Sequence, residues 1–180
     1  MPSSQDFEDL YGVTEERALN FWASHLQDAM GNKRWAQIRD STGVYLASVL
    51  GHFCQQPVDR REILSEDYSP GDGEFRQFAD LTQIAELRMR QLTTAKNPVW
   101  MESAGAHILL YAGFFQSQNR QRHNIEFFSS IGRECYLMAA VGKREKVMKL
   151  MAAEFGQYLY HLANLHQNLM ESRYLIRTDN

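Results

Sequence analysis

The stretch KREKVMKLMAAEFGQYLYHLANLHQNLMESR, residues 143–173, decides the fold class. Met148, Met151, Phe155, Tyr158, Leu162, Leu165 and Leu169 follow one another at steps of three and four. Only a helix returns side chains to one face at that spacing, and sustained over several turns it makes a heptad seam. Glu154, Gln157, His161, Asn164 and Asn168 form the opposite, polar line and are expected to face water. The sequence therefore predicts a long amphipathic C-terminal helix from Lys143 to about Arg173.

Working back from it, Gly142 is a natural stop for a helix over Ile125–Val141. A polar loop, QSQNRQRHN, precedes that helix. Before the loop, Asn97-Pro98 reads as an N-cap followed by proline at the first helical position, where its missing N–H costs nothing. The helix they open runs to about Phe115 and is apolar on nearly every side after Ser103, the signature of a central buried helix. A third helix is expected from about Gly73 to Thr94, with Phe75, Phe78, Ala85, Met89 and Leu92 on its apolar side. Residues 58–73 carry the SPGDG turn cluster and are expected to form a long surface loop. Pro57 ends a helix over Thr42–Gln56, whose apolar face is Leu46, Val49, Leu50 and Phe53. Trp35 and Ile38 anchor a short polar segment. The first helix starts near Thr14 and stops at Gly31, with Leu19, Trp22, Ala23, Leu26 and Met30 at helical spacing, and residues 1–13 are expected to be flexible. No segment shows sustained period-two alternation, so no sheet is expected. The expectation is a single all-α domain over residues 1–180, a bundle of about six helices. Small residues sharing a side, Gly105, Ala106 and Gly113 on the central helix and Ser129, Gly132 and Ala140 on the next, predict close helix crossings.

The chain has 180 residues, 44% of them hydrophobic, a share that supports a packed core and argues against disorder. Its net charge of -3 lacks the basic balance of a general nucleic-acid binder. The opening residues, MPSSQDFEDLYG, have no cationic start followed by an apolar run, so no secretory signal is expected. No apolar run approaches the ~18 residues of a membrane span. Cys54 and Cys135 sit on separate apolar segments and read as reduced thiols of a cytoplasmic protein.

The stretches YLASVLGHF, LLYAGFF and FFSSIGRECYLMAA, in that order and followed by an amphipathic last helix, resemble a family of uncharacterised, mainly proteobacterial helical proteins. The likeness runs from about Tyr45 to Leu169 and rests on aromatic and glycine positions, among them Phe127, Phe128, Gly132 and Tyr136. The family pattern has a tyrosine pair where this chain has Phe127 and Phe128. The resemblance implies a bacterial, all-helical protein and brings no catalytic residue with it.

Chemistry-bearing residues are few. There is no Glu-x-x-His, no CxxC and no HExxH; His123 and Glu126 have the reversed spacing across a helix start, and His52 and Cys54 fall on different helical faces. No metal ligation and no cofactor is expected. His107 is the one polar ring in the central helix. It reads either as the polar anchor of a small pocket with Tyr111, Cys135 or Tyr136, or as a core histidine bonded to a neighbouring carbonyl or hydroxyl. Cys135 reads either as half of a thiol-imidazole pair with His107 or as an inert apolar group beside Ile131 and Met138. Arg120, Arg122 and His123 precede a helix N-terminus, where an anion could bind, but read first as a solvated loop, since three charges in a polar loop need no explanation.

Two function classes follow. The first, preferred, is a non-enzymatic interaction protein, a homodimer or an adaptor for a protein partner, using a Met- and aromatic-rich helix face made by Met148, Met151, Phe155 and Tyr158. Val147, Leu150, Leu159 and Met170 widen that stripe, so a second copy is expected to cover part of it; the alternative is that the first and third helices cover it all within one chain. The second is a small-ligand binder or cofactor-independent enzyme with a pocket near His107. Neither nucleic acid nor membrane is expected as a partner. Because the central helix is expected to be enclosed, Leu109→Asp or Leu110→Asp should prevent soluble expression. Melting of the purified variants like the parent would show that the helix is not central.

Overall fold

A computed structural model of the chain describes residues 15–55, 83–86, 97–115 and 125–171. Seven helices and no strand occur among the described residues. The backbone divides into two compact units, residues 1–57 and 58–180. The division falls at Pro57, the proline expected to end a helix. The expected surface loop over 58–73, the flexible start over 1–13 and most of the helix expected over Gly73–Thr94 lie outside the described residues. Of that last segment, 83–86 is helical and Ile84 is buried.

In the first unit, α1 (Glu15–Met30) buries Ala18, Trp22 and Leu26 on one side. It stops at Gly31, whose φ of 82° and ψ of 150° belong to a region that side chains exclude. The short polar segment that follows is helical: α2 (Asn32–Ile38) buries its two anchors, Trp35 and Ile38. A π-helical turn, Arg39–Gly43, leads into α3 (Val44–Gln55), which buries Leu46, Ala47, Val49 and Leu50 and packs on α1.

The second unit is built on α4 (Pro98–Ile108). Asn97 caps it as the sequence predicts, its Oδ1 accepting the backbone N–H of Val99 at 3.0 Å and of Trp100 at 3.3 Å. Every residue from Met101 to Leu110 is buried, so this is the central helix. It does not stay α-helical to Phe115. From Leu109 to Phe114 the chain is a π-helix, closing with the Phe115 N–H on the Leu110 carbonyl. The wider turn brings Gly113 against α7, where a Cβ would lie 3.2 Å from Leu159 and Leu162.

Helix α5 (Ile125–Ala139) buries Phe128, Ile131, Gly132, Cys135, Tyr136 and Ala139. Gly142, at φ 58°, opens a 3-10 turn, Gly142–Arg144. The long C-terminal helix then departs from expectation. It is two helices, α6 (Glu145–Ala153) and α7 (Phe155–Glu171), broken at Glu154. The periodicity hides the break because the step of four from Met151 to Phe155 keeps the seam in phase across it. The Tyr158 hydroxyl donates to Glu154 Oε2 at 2.6 Å, which ties the start of α7 to the break. Helix α6 packs on α5, and α7 packs on the π-helical segment and on α5.

The expected close crossings are present as rings seated on glycines. A Cβ at Gly105 of α4 would lie 2.9 Å from the Tyr136 ring of α5. A Cβ at Gly132 of α5 would overlap the Phe155 ring of α7. The two rings touch each other, with centroids 5.9 Å apart. Three helices are thus locked by two rings and two missing methyl groups.

Gly132→Ala should therefore destabilise the fold by about 1–3 kcal/mol, the usual cost of forcing atoms into a filled core, despite alanine's better helix propensity. Trimming the ring in Gly132→Ala/Phe155→Leu should cost less than the sum of the two single changes. Thermal melts of the four proteins check this; additive losses would mean that the ring and the glycine do not meet.

Candidate functional site

The polar groups of the second unit's core are the first place to look for chemistry. Ser103 and His107 lie one turn apart on α4, and His107 is 1% exposed. His107 Nδ1 donates to the Ser103 carbonyl oxygen at 2.8 Å. A carbonyl only accepts, so Nδ1 carries the hydrogen of this bond. The Tyr111 ring lies 6.0 Å from the imidazole, tilted by 47°. The backbone bond is the one expected of a core histidine.

Cys135 is in no disulfide and is 1% exposed, among the buried residues of α5. Tyr136 is fully enclosed between Gly105 and Phe155. Its ring thus fills the α4–α5 crossing. Groups this enclosed meet no solute from solvent until the helices part. Arg120, Arg122 and His123, the anion-site candidates, lie outside the described residues. No group of three or more His, Cys, Asp or Glu that could hold a metal ion occurs among the described residues.

The most unusual polar group in this core is one that sequence reasoning passed over. Glu102 is on the buried stretch of α4, its side chain 8% exposed. Arg144, from the 3-10 turn 42 residues on, reaches it with Nη1 at 2.5 Å and 2.6 Å from the two carboxylate oxygens. The arginine side chain is 67% exposed. A carboxylate inside a helix that is otherwise enclosed needs a cationic partner. That was the available signal, but nothing in the spacing of Glu102 and Arg144 names one for the other. The pair holds the α5–α6 connection against α4.

The interface candidates are also core residues. Met148, Met151, Phe155 and Tyr158 are each at most 1% exposed within this chain. The expected seam is real, but α5 and the π-helical segment are among the neighbours that cover it. A partner cannot use that face while the fold is intact. Among the described residues, large apolar side chains stay exposed at Phe21 and Val44 in the first unit, at Tyr160 and Met170 on α7, and on the outer side of α5, where Phe127 is 48% and Leu137 56% exposed. Ser130, Glu126 and Arg133 are exposed on the same side, and Val141 is exposed just beyond the helix end. In the first unit, an open depression of ≈ 370 Å³ lies over the α1–α2 turn, lined by Met30, Gly31, Asn32, Lys33, Arg34 and Gln37. It gathers no catalytic set.

No protein-family model, no curated protein and no solved structure matches the chain. Among the described residues, no helix is long and apolar enough to cross a membrane.

The Glu102–Arg144 pair yields its own test. Arg144→Ala should cost about 1–3 kcal/mol, because it leaves a buried carboxylate without its donor. Glu102→Leu/Arg144→Met should recover most of that loss. Chemical denaturation measures both, and an Arg144→Ala variant as stable as the parent would show that the arginine is not needed to satisfy the carboxylate.

Proposed function

We propose that this is a non-enzymatic helical protein that acts by association through a helix face, and that the outer side of α5 is that face. The observation that carries the reading is the exposure of Phe127 and Leu137 on a helix whose other side is locked in the core. Two half-exposed large apolar side chains on one helix face leave area that a partner can remove from water. The groups that an enzyme would use support the same reading by their occupation. His107 bonds its own helix, Tyr136 fills a crossing, and Glu102 is held by Arg144. The first partner under this proposal is a second copy of the chain, since most soluble oligomers are symmetric pairs or multiples of pairs. The proposal also takes the protein to be bacterial and cytoplasmic, the first from the resemblance above and the second from Cys135, which is in no disulfide.

Sedimentation equilibrium at micromolar concentration should give twice the 20.9 kDa of the chain. The Phe127→Lys/Leu137→Lys variant should stay helical and sediment as one copy. Parent protein at 20.9 kDa across that range would overturn self-association.

A further inference from the structure

We infer that the second copy docks α5 antiparallel on α5, with the two-fold axis passing beside Ser130. This rests on the self-association just proposed and assigns its geometry. The exposed side of α5 is centred on Ser130, a small residue that lets a second helix come close. Glu126 lies four residues before it and Arg133 three after it, both exposed and on the same flank of that side. Seven residues along a helix is about 10 Å of rise, too far for the two to pair within one chain. Among the described residues neither has an ion-pair partner.

An antiparallel two-fold sets each flank against the same flank of the other copy, and it matches residues equally far before and after the axis. Glu126 then meets Arg133 of the second copy, and Arg133 meets Glu126. One face supplies both halves of two reciprocal ion pairs, which is what a self-complementary surface requires. Phe127 falls beside the crossing, where the second helix removes it from water. Phe127 and Leu137 supply the apolar contact, and the charges fix direction and register. A parallel pairing would keep Glu126 of one copy and Arg133 of the other two turns apart.

Mixing of charge-reversed variants tests the geometry. Arg133→Glu alone places four carboxylates around the axis, and Glu126→Arg alone places four guanidinium groups there. Each variant should keep the parent's helical spectrum and melt, since both positions are exposed, and each should dimerise at least about tenfold more weakly than the parent. An equimolar mixture of the two should recover the parent's affinity, because the hybrid dimer restores two opposite-charge pairs. Sedimentation of the two variants, alone and mixed, reads this directly. Parent protein that is monomeric throughout overturns both this inference and the self-association beneath it. A dimeric parent whose dimer is unaffected by either reversal overturns this inference alone and puts the interface elsewhere. Two weakened variants that do not rescue each other on mixing overturn the antiparallel register.

Discussion

Two rings set on two glycines hold the second unit together. Tyr136 lies where a side chain at Gly105 would be, Phe155 lies where one at Gly132 would be, and the rings contact each other. Close packing of this kind fixes position more tightly than hydrophobic burial alone, because a ring wedged over a backbone can neither slide nor rotate without overlap. The consequences run outward through the unit. With Phe155 seated on Gly132, the start of α7 lies against α5, and the chain breaks at Glu154, with α6 on α5 as well. With α7 in place, Gly113 has to approach Leu159 and Leu162, and the π-helical turn of the central helix presents it there.

The same arrangement accounts for the polar groups. An enclosed α4 leaves His107 no water, so its Nδ1–H turns to the carbonyl of Ser103. Glu102 meets the same problem with a charge, and a neutral neighbour would not suffice. Its answer is Arg144, whose side chain stays largely in water while its head reaches inward. The burial penalty of the pair is thus borne mainly by the carboxylate, and the arginine anchors the α5–α6 turn as a result.

His107, Cys135 and Tyr136 are committed to the packing of α4 and α5, whereas the outer side of α5 stays in water. The apolar and charged residues still exposed on α5 are few, but they are ordered: a small residue at the centre, opposite charges before and after it, aromatic and aliphatic groups nearby. Such a face differs from the Met- and aromatic-rich seam of the C-terminal helices in one physical respect. The seam is covered by the chain itself, whereas the α5 face is covered by nothing in the described residues.

By itself the sequence determined the helical class and several helix ends. Steps of three and four along Met148–Leu169, the Asn97-Pro98 start and the Gly31 stop are short-range facts, and short-range sterics and hydrogen bonding suffice to decide them. The apolar run of the central helix likewise announced its own burial, and the glycines of α4 and α5 announced close crossings. Tertiary structure decided which partners those features found. The seam residues read as an interface because periodicity gives a face and not its neighbour; only the packing of α5 and the π-helical segment showed that face to be internal. The break at Glu154 was invisible because it preserves phase. Glu102 and Arg144 meet across 42 residues, a separation that no local pattern encodes. The outer side of α5 became legible as a surface only once its inner side was known to be filled, since exposure is a property of the whole packed unit and not of the residues that carry it.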